Sequence, residues 1–186
     1  GLCYYDAGSR SFYTRTQPIR SPADLRGLKI RVQNSRAAMR MIEAMGGAAT
    51  PISFGELYTA LDQGVVDGAE NNPPSFLTSR HYEVCKFYSQ DEHTRVPDIL
   101  LVSTETWERL KPEERRWLQE AADVSVTFQR DLWARKTRQT LEQLAAAGVT
   151  ILHPDLHPFQ EAVKTLHDSY RGTEAGRWME RILEHP

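Results

Sequence analysis

The sequence predicts an α/β chain built on an open sheet, and three observations carry that reading. Short β-like runs alternate with helical patterns over short loops between Leu28 and Glu70. Polar residues suited to ligand contact fall at the strand-to-helix junctions of that stretch, where open sheets bind ligands. Further on, no Gly or Pro interrupts a helical pattern from about Glu113 to Ala147. At about 1.5 Å per residue such a helix reaches roughly 50 Å, more than one small α/β lobe needs, so it reads as a strut between two lobes.

Leu28–Val32 (LKIRV) is bounded by Gly27 and by Asn34, a residue suited to helix capping, and reads as strand then helix. Ala37, Ala38, Met41, Ile42 and Met45 recur at helical spacing until Gly46-Gly47 stop them. A strand over Thr50–Ser53 leads into a helix from Phe54 to Gln63 with Gly64 as its stop, and Val65–Glu70 gives a third strand. Asn71-Asn72-Pro73-Pro74 breaks that strand and opens a helix from Pro74 to Tyr82. Asp98–Ser103 is the most apolar strand. The long helix follows, then a strand over Val149–Leu152 and helices over Pro158–Tyr170 and Glu174–Glu184.

The 186 residues are 40% hydrophobic and 26% charged, with a formal net charge of −2, as in a soluble globular chain able to bury a core. That balance excludes a dedicated nucleic-acid binder, and no apolar run approaches the about 20 residues of a membrane span. Charge is uneven, however: Arg10 to Arg40 holds eight basic residues and one acid, whereas Glu43 to Glu92 holds eight acids and two bases. Most of these charges read as solvated faces and weak exposed pairs. One or two arginines at strand ends read instead as carboxylate anchors, because a planar guanidinium grips a carboxylate with two parallel hydrogen bonds. Cys3 and Cys85 are too few for a disulfide framework or a cysteine zinc site, and read as two partly buried thiols. The six histidines show no metal spacing and read mostly as surface or capping residues.

Catalytic templates fail: there is no G-x-S-x-G, H-E-x-x-H, P-loop or G-x-G-x-x-G after a strand. No enzyme, metal or cofactor is expected. Arg31 and Asn34 after the first strand, Phe54 after the second, and Asn71 and Asn72 after the third converge on the crevice of an open sheet. There an Arg can pair with a carboxylate, Asn amides can read hydroxyls, and a ring can cover an apolar face. Turn chemistry competes for Asn71 and Asn72, and core packing or a hydrophobic staple competes for Phe54.

Three runs carry a family resemblance. P-x-D-L-x-G-L-K-I-R spans Pro22–Arg31, P-x-x-F-x-E-x-Y-x-A-L-x-x-G-x-V-D-G-x-E-N spans Pro51–Asn71, and HYEVCK spans His81–Lys86. In order, spacing and content they resemble the solute-binding proteins of TRAP transporters, the tripartite ATP-independent periplasmic systems for organic acids. The resemblance implies a two-lobed, periplasmic-binding-protein-like α/β receptor with a lobe-spanning helix, located in the periplasm. Such a receptor captures a carboxylate-bearing solute and delivers it to membrane permease subunits, without chemistry. By the same resemblance Arg31 is the principal carboxylate anchor, Arg10 of the G-x-R segment supports it, and Asn34, Phe54 and Asn71 line the cleft. Asn72 is the neighbour that helps to read hydroxyls.

Glu70–Ser75 resembles family members that take sugar acids, such as uronates or aldonates, more than those that take C4-dicarboxylates, the alternative solute. Against that family the chain reads as N-terminally truncated, lacking the signal peptide and most of the first lobe. Residues 1–97 are then mostly the second, ligand-anchoring lobe. Residues 98–136 are the returning part of the first lobe with the start of the long helix, and 137–186 hold the rest of that helix, the last strand of the second lobe and the C-terminal helices. The returning segment would lack strand partners, leaving Ile99–Val102 unprotected and favouring self-association. A truncated, non-binding fragment with an oligomeric or structural role is the remaining reading.

Overall fold

The computed structural model describes residues 1–184. Strand β1 (Cys3–Tyr5) leads through a turn at Gly8 into β2 (Ser9–Thr14). The predicted β/α alternation follows as β3 (Lys29–Val32), α1 (Arg36–Ala44), β4 (Ala48–Pro51), α2 (Leu57–Asp62), β5 (Gly68–Asn71) and α3 (Pro73–Thr78). Next come β6 (Phe87–Arg95), β7 (Asp98–Leu100), α4 (Thr104–Arg109) and α5 (Pro112–Ala146). The chain closes with β8 (Thr150–Leu152), α6 (His157–Ala162), α7 (Lys164–Asp168) and α8 (Glu174–Leu183). His185, one of the six histidines, lies outside the described residues.

Local chemistry accounts for several boundaries and corrects others. Ser35, not Asn34, caps α1, its hydroxyl accepting from Ala38 N. Phe54–Glu56 is a single 3₁₀ turn ahead of α2. The helix expected over Pro74–Tyr82 stops at Thr78, because Arg80 takes a left-handed conformation before a 3₁₀ turn at His81–Glu83. The helix expected over Pro158–Tyr170 breaks at Val163 into α6 and α7. Helix α5 runs 35 residues, opened by Pro112 at its first position and by Glu114, which accepts from Lys111 N.

Six strands form one sheet in the order β4-β3-β5-β2-β6-β8. β3 runs parallel to β4 and β5, β6 runs parallel to β8, and β2 is antiparallel to both of its neighbours. Side chains alternate across a strand, and both faces of this sheet are covered. One face buries Tyr13, Phe76 and Tyr88 with Leu57 and Leu61 of α2 and Leu144 of α5. The other buries Phe12, Ile30 and Val32 with Ile42 of α1 and Phe159 of α6. Strands β1, β2 and β6 escape the periodicity reading because β2 and β6 bury polar side chains: Ser11, Thr14, Ser89 and Asp91 are each at most 2% exposed. An apolar-alternation rule cannot register such strands.

The apolar strand at Asp98 is shorter than expected and is not left unpaired. β7 pairs antiparallel with β1, Cys3 opposite Leu100 and Tyr5 opposite Asp98, in a separate ribbon. Ile99 and Leu101 remain exposed. Helix α5 joins the two sheets. Its middle holds the end of β1 through Ser125 and Tyr5 hydroxyls at 2.7 Å, and through Gln129, which accepts from Asp6 N and donates to Asp6 O. Its C-terminal end buries Thr140 and Leu144 at the main sheet. Both cysteines are free, and burial pushes the Cys85 thiol up to about 12.

Candidate functional site

The parallel pair β3 and β5 ends beside the start of β2, which runs the other way, so Arg31, Asn71 and Arg10 are delivered to one end of the sheet. Arg31 is 2% exposed. Its Nε donates to Ile52 O at 2.8 Å, its guanidinium carbon lies 5.6 Å from the Phe54 ring centroid, and its buried Nη1 has no protein partner. No carboxylate pairs with it among the described residues. Burial pulls its pKa below the usual arginine value, opposed by nearby Tyr13 and Glu70. An arginine does not deprotonate in a protein, so the result is a buried cation without its anion.

Arg10 is occupied differently. Its Nε pairs with Glu70, Nη2 donates to Glu70 Oε1 at 2.8 Å and to Glu70 O at 3.0 Å, and Nη1 donates to Asn71 Oδ1 at 3.0 Å. One Nη1 hydrogen is left over. Burial works against its charge, yet the bond to Glu70 raises its pKa on balance. Burial likewise disfavours the Glu70 carboxylate, but His93 and Arg10 hold its pKa below the usual value. His93 Nε2 sits 3.7 Å from Glu70, an ion-pair rather than a hydrogen-bond distance, while Nδ1 bonds Asp91 at 2.7 Å. Burial opposes protonation of His93, but Asp91 and Glu70 outweigh it and lift its pKa to about 9. Asp91 also accepts from Phe12 N at 3.1 Å, pinning this chain of alternating charges to β2.

Asn71 spends its carbonyl oxygen on Arg10 Nη1 and on Asn72 N, at 3.0 and 2.9 Å, which fixes the amide orientation because both partners only donate. Its NH2 bonds no protein group among the described residues and so keeps both hydrogens to donate. Asn72 is structural: its oxygen accepts from Ser75 N at the start of α3 and its amide donates to Ala7 O at 3.1 Å. Asn34 stands exposed just beyond β3. Phe54, nearly half exposed, sets its ring edge against His81, with centroids 5.6 Å apart.

The structure thus brings Arg31, Arg10, Asn71 and Phe54 together and leaves Asn72 as a cap. Sequence reasoning missed Glu70, Asp91, His93, His81 and Tyr13. Glu70 stood within the quoted E-N motif, and Asp91 and His93 sit at the two-residue spacing of one strand face. His81 is buried, with Nδ1 2.9 Å from the Tyr13 hydroxyl; burial and the charge of Arg31 lower its pKa to about 4. It is therefore neutral beside Arg31 at ordinary pH. The group-by-group result is a wall of spare donors: Arg31, one Arg10 hydrogen and the Asn71 amide. Among the described residues no group of three or more His, Cys, Asp or Glu could hold a metal ion, and no helix is long and apolar enough to cross a membrane.

Comparison with known proteins identifies the family. A solute-binding protein of Chromohalobacter salexigens is 39% identical over 186 residues, covering 100% of this chain and 52% of its own length. Among solved structures, a TRAP periplasmic solute-binding protein from Bradyrhizobium sp., in complex with D-galacturonate, matches with TM-score 0.91 and 41% identity, covering 99% of this chain and 62% of that one. A second, from C. salexigens with bound D-glucuronate, gives TM-score 0.88 and 39% identity over 91% of this chain and 56% of that one. The chain spans about half the length of the curated relatives it matches. The profile of the bacterial extracellular solute-binding proteins of family 7, DctP, matches residues 1–173, and the chain belongs to that family.

Proposed function

We propose that this chain carries the carboxylate-anchoring wall of a periplasmic receptor that captures a uronate and passes it to the membrane permease of a TRAP system. The observation that carries the reading is Arg31: a buried guanidinium with one protein hydrogen bond, no acidic partner and an unpartnered Nη1. A buried charge needs a partner, and a planar carboxylate is the anion whose two oxygens match the guanidinium fork. The spare Arg10 hydrogen and the Asn71 amide extend the same donor wall, and Phe54 offers a ring to an apolar sugar face. Asn34, exposed two residues beyond the end of β3, is assigned to reading a ring hydroxyl. Asn72 acts through the backbone it holds. The uronate complexes of the similar proteins from Bradyrhizobium and C. salexigens support the sugar-acid class.

The strand pairing supports the following lobe assignment as part of the same proposal. The six-stranded sheet is the anchoring lobe, and the β1–β7 ribbon with α4 and the first half of α5 belongs to the opposite lobe. Calorimetric titration of the protein with D-glucuronate, D-galacturonate, D-gluconate and succinate tests the function. Uronates are expected to bind tightest. Binding of succinate with uronates silent refutes the sugar-acid class in favour of a C4-dicarboxylate receptor, and silence of every acid refutes capture.

A further inference from the structure

Five buried polar side-chain atoms lack a protein hydrogen-bond partner among the described residues. Two, Arg31 Nη1 and His93 Nε2, belong to the charged cluster already described. The other three, Gln90 Oε1, Trp133 Nε1 and Thr137 Oγ1, belong to residues that line one recess of about 180 Å³. Trp133 and Thr137 stand four residues apart on one face of α5. Gln90 faces them from β6, two residues along the strand from Tyr88 and on the same side of the sheet. Buried polar groups in folded proteins are nearly always satisfied, so three orphans around one recess call for an outside partner.

Their chemistry selects it. An indole N–H only donates, an amide oxygen only accepts and a hydroxyl does both. No simple cation or anion satisfies that set, whereas water does. The recess is far larger than the about 10–15 Å³ that one water requires and smaller than the roughly 300 Å³ at which small-molecule pockets begin. We propose that it is a solvent-binding site in which ordered water bridges α5 to β6 and β2 behind Arg10. The turn that leads into Arg10 rests on the same spot. Gly8 has φ +69°, its N donates to Asp6 Oδ1 at 2.8 Å, and a Cβ on it would meet Trp133 Nε1 at 2.8 Å. The bridging water therefore buttresses the backbone that carries the supporting arginine.

Water-selective rotating-frame NMR on ¹⁵N-labelled protein tests this. The Trp133 indole resonance, assigned by its loss in Trp133→Phe, is expected to show a cross-peak to water of dipolar rather than exchange sign. That cross-peak should persist in Thr137→Ser and weaken in Thr137→Val. In a hydrated site Thr137→Val strands a water and lowers Tm; in a dry one it removes an unsatisfied hydroxyl and raises Tm. Absence of the dipolar cross-peak, or a Tm gain in Thr137→Val, overturns the proposal. Either result leaves the carboxylate reading of Arg31 untouched.

Discussion

Replacing Arg31 by Met separates binding from folding, because the guanidinium lacks an internal counter-ion. In the free protein the substitution forfeits one hydrogen bond, to Ile52 O, and the contact with the Phe54 ring. It also removes a charge held out of water, and the two effects offset one another, leaving stability within about 1 kcal/mol of the parent. In the complex the same change removes one side of a desolvated charge pair, a loss of about 2 to 5 kcal/mol. At about 1.4 kcal/mol per decade that is a roughly 30- to 4,000-fold weaker Kd. Arg31→Lys should fail nearly as badly, since an ammonium cannot reproduce two parallel hydrogen bonds. Arg10→Met provides the contrast. It strands Glu70, whose side chain is only 4% exposed, and should cost about 3 to 5 kcal/mol of stability. Urea denaturation and calorimetric titration with D-glucuronate read the two quantities independently. If Arg31→Met binds within threefold of the parent, or loses as much stability as Arg10→Met, the anchor assignment fails.

Three further outcomes follow from the same geometry. His93, with its pKa raised to about 9, contributes stability that is fully present below about pH 6.5 and is lost as pH rises through 9, whereas His81, lowered to about 4, contributes above about pH 6.5 and is lost as pH falls through 4. Tm recorded from pH 4 to 10 should fall at both ends, and His93→Gln should flatten the alkaline limb; an unchanged limb removes His93 from the network. Gly68→Ala should cost about 1 to 3 kcal/mol in urea, because a Cβ there would lie 2.4 Å from Tyr13 O in a central strand pairing; a neutral result would show that β5 can shift without losing Glu70 and Asn71. The exposed apolar residues Leu101, Trp117, Val124 and Phe128 should make the 186-residue chain self-associate in sedimentation experiments, with Leu101→Ser and Phe128→Ser shifting it to monomer; a monomeric parent at high concentration contradicts this.

What the sequence by itself determined was local and periodic. The β/α alternation from Leu28 to Asn71, the 35-residue helix and the cluster of Arg31, Phe54 and Asn71 at strand ends all follow from spacing, glycine stops and motif order. These signals survive in one dimension because a strand end or a helix stop is set by neighbours in the chain. Tertiary structure alone decided how those residues are used. Asn71 and Asn72 are adjacent and identical in type, yet one spends its oxygen on Arg10 and Asn72 N while the other spends its oxygen on the start of α3 and one amide hydrogen on Ala7 O. Arg10 and Arg31 are both strand arginines, but Glu70 arrives beside Arg10 from 60 residues away and leaves Arg31 uncompensated. Strand β6 carries no apolar alternation because its inward side chains are Ser89, Asp91 and His93, whose burial is tolerable only once Ile19, Phe12 of β2 and Glu70 supply their partners. A buried charge is stable by virtue of a long-range contact, and the distance of that contact along the chain is the quantity that local sequence reading does not contain.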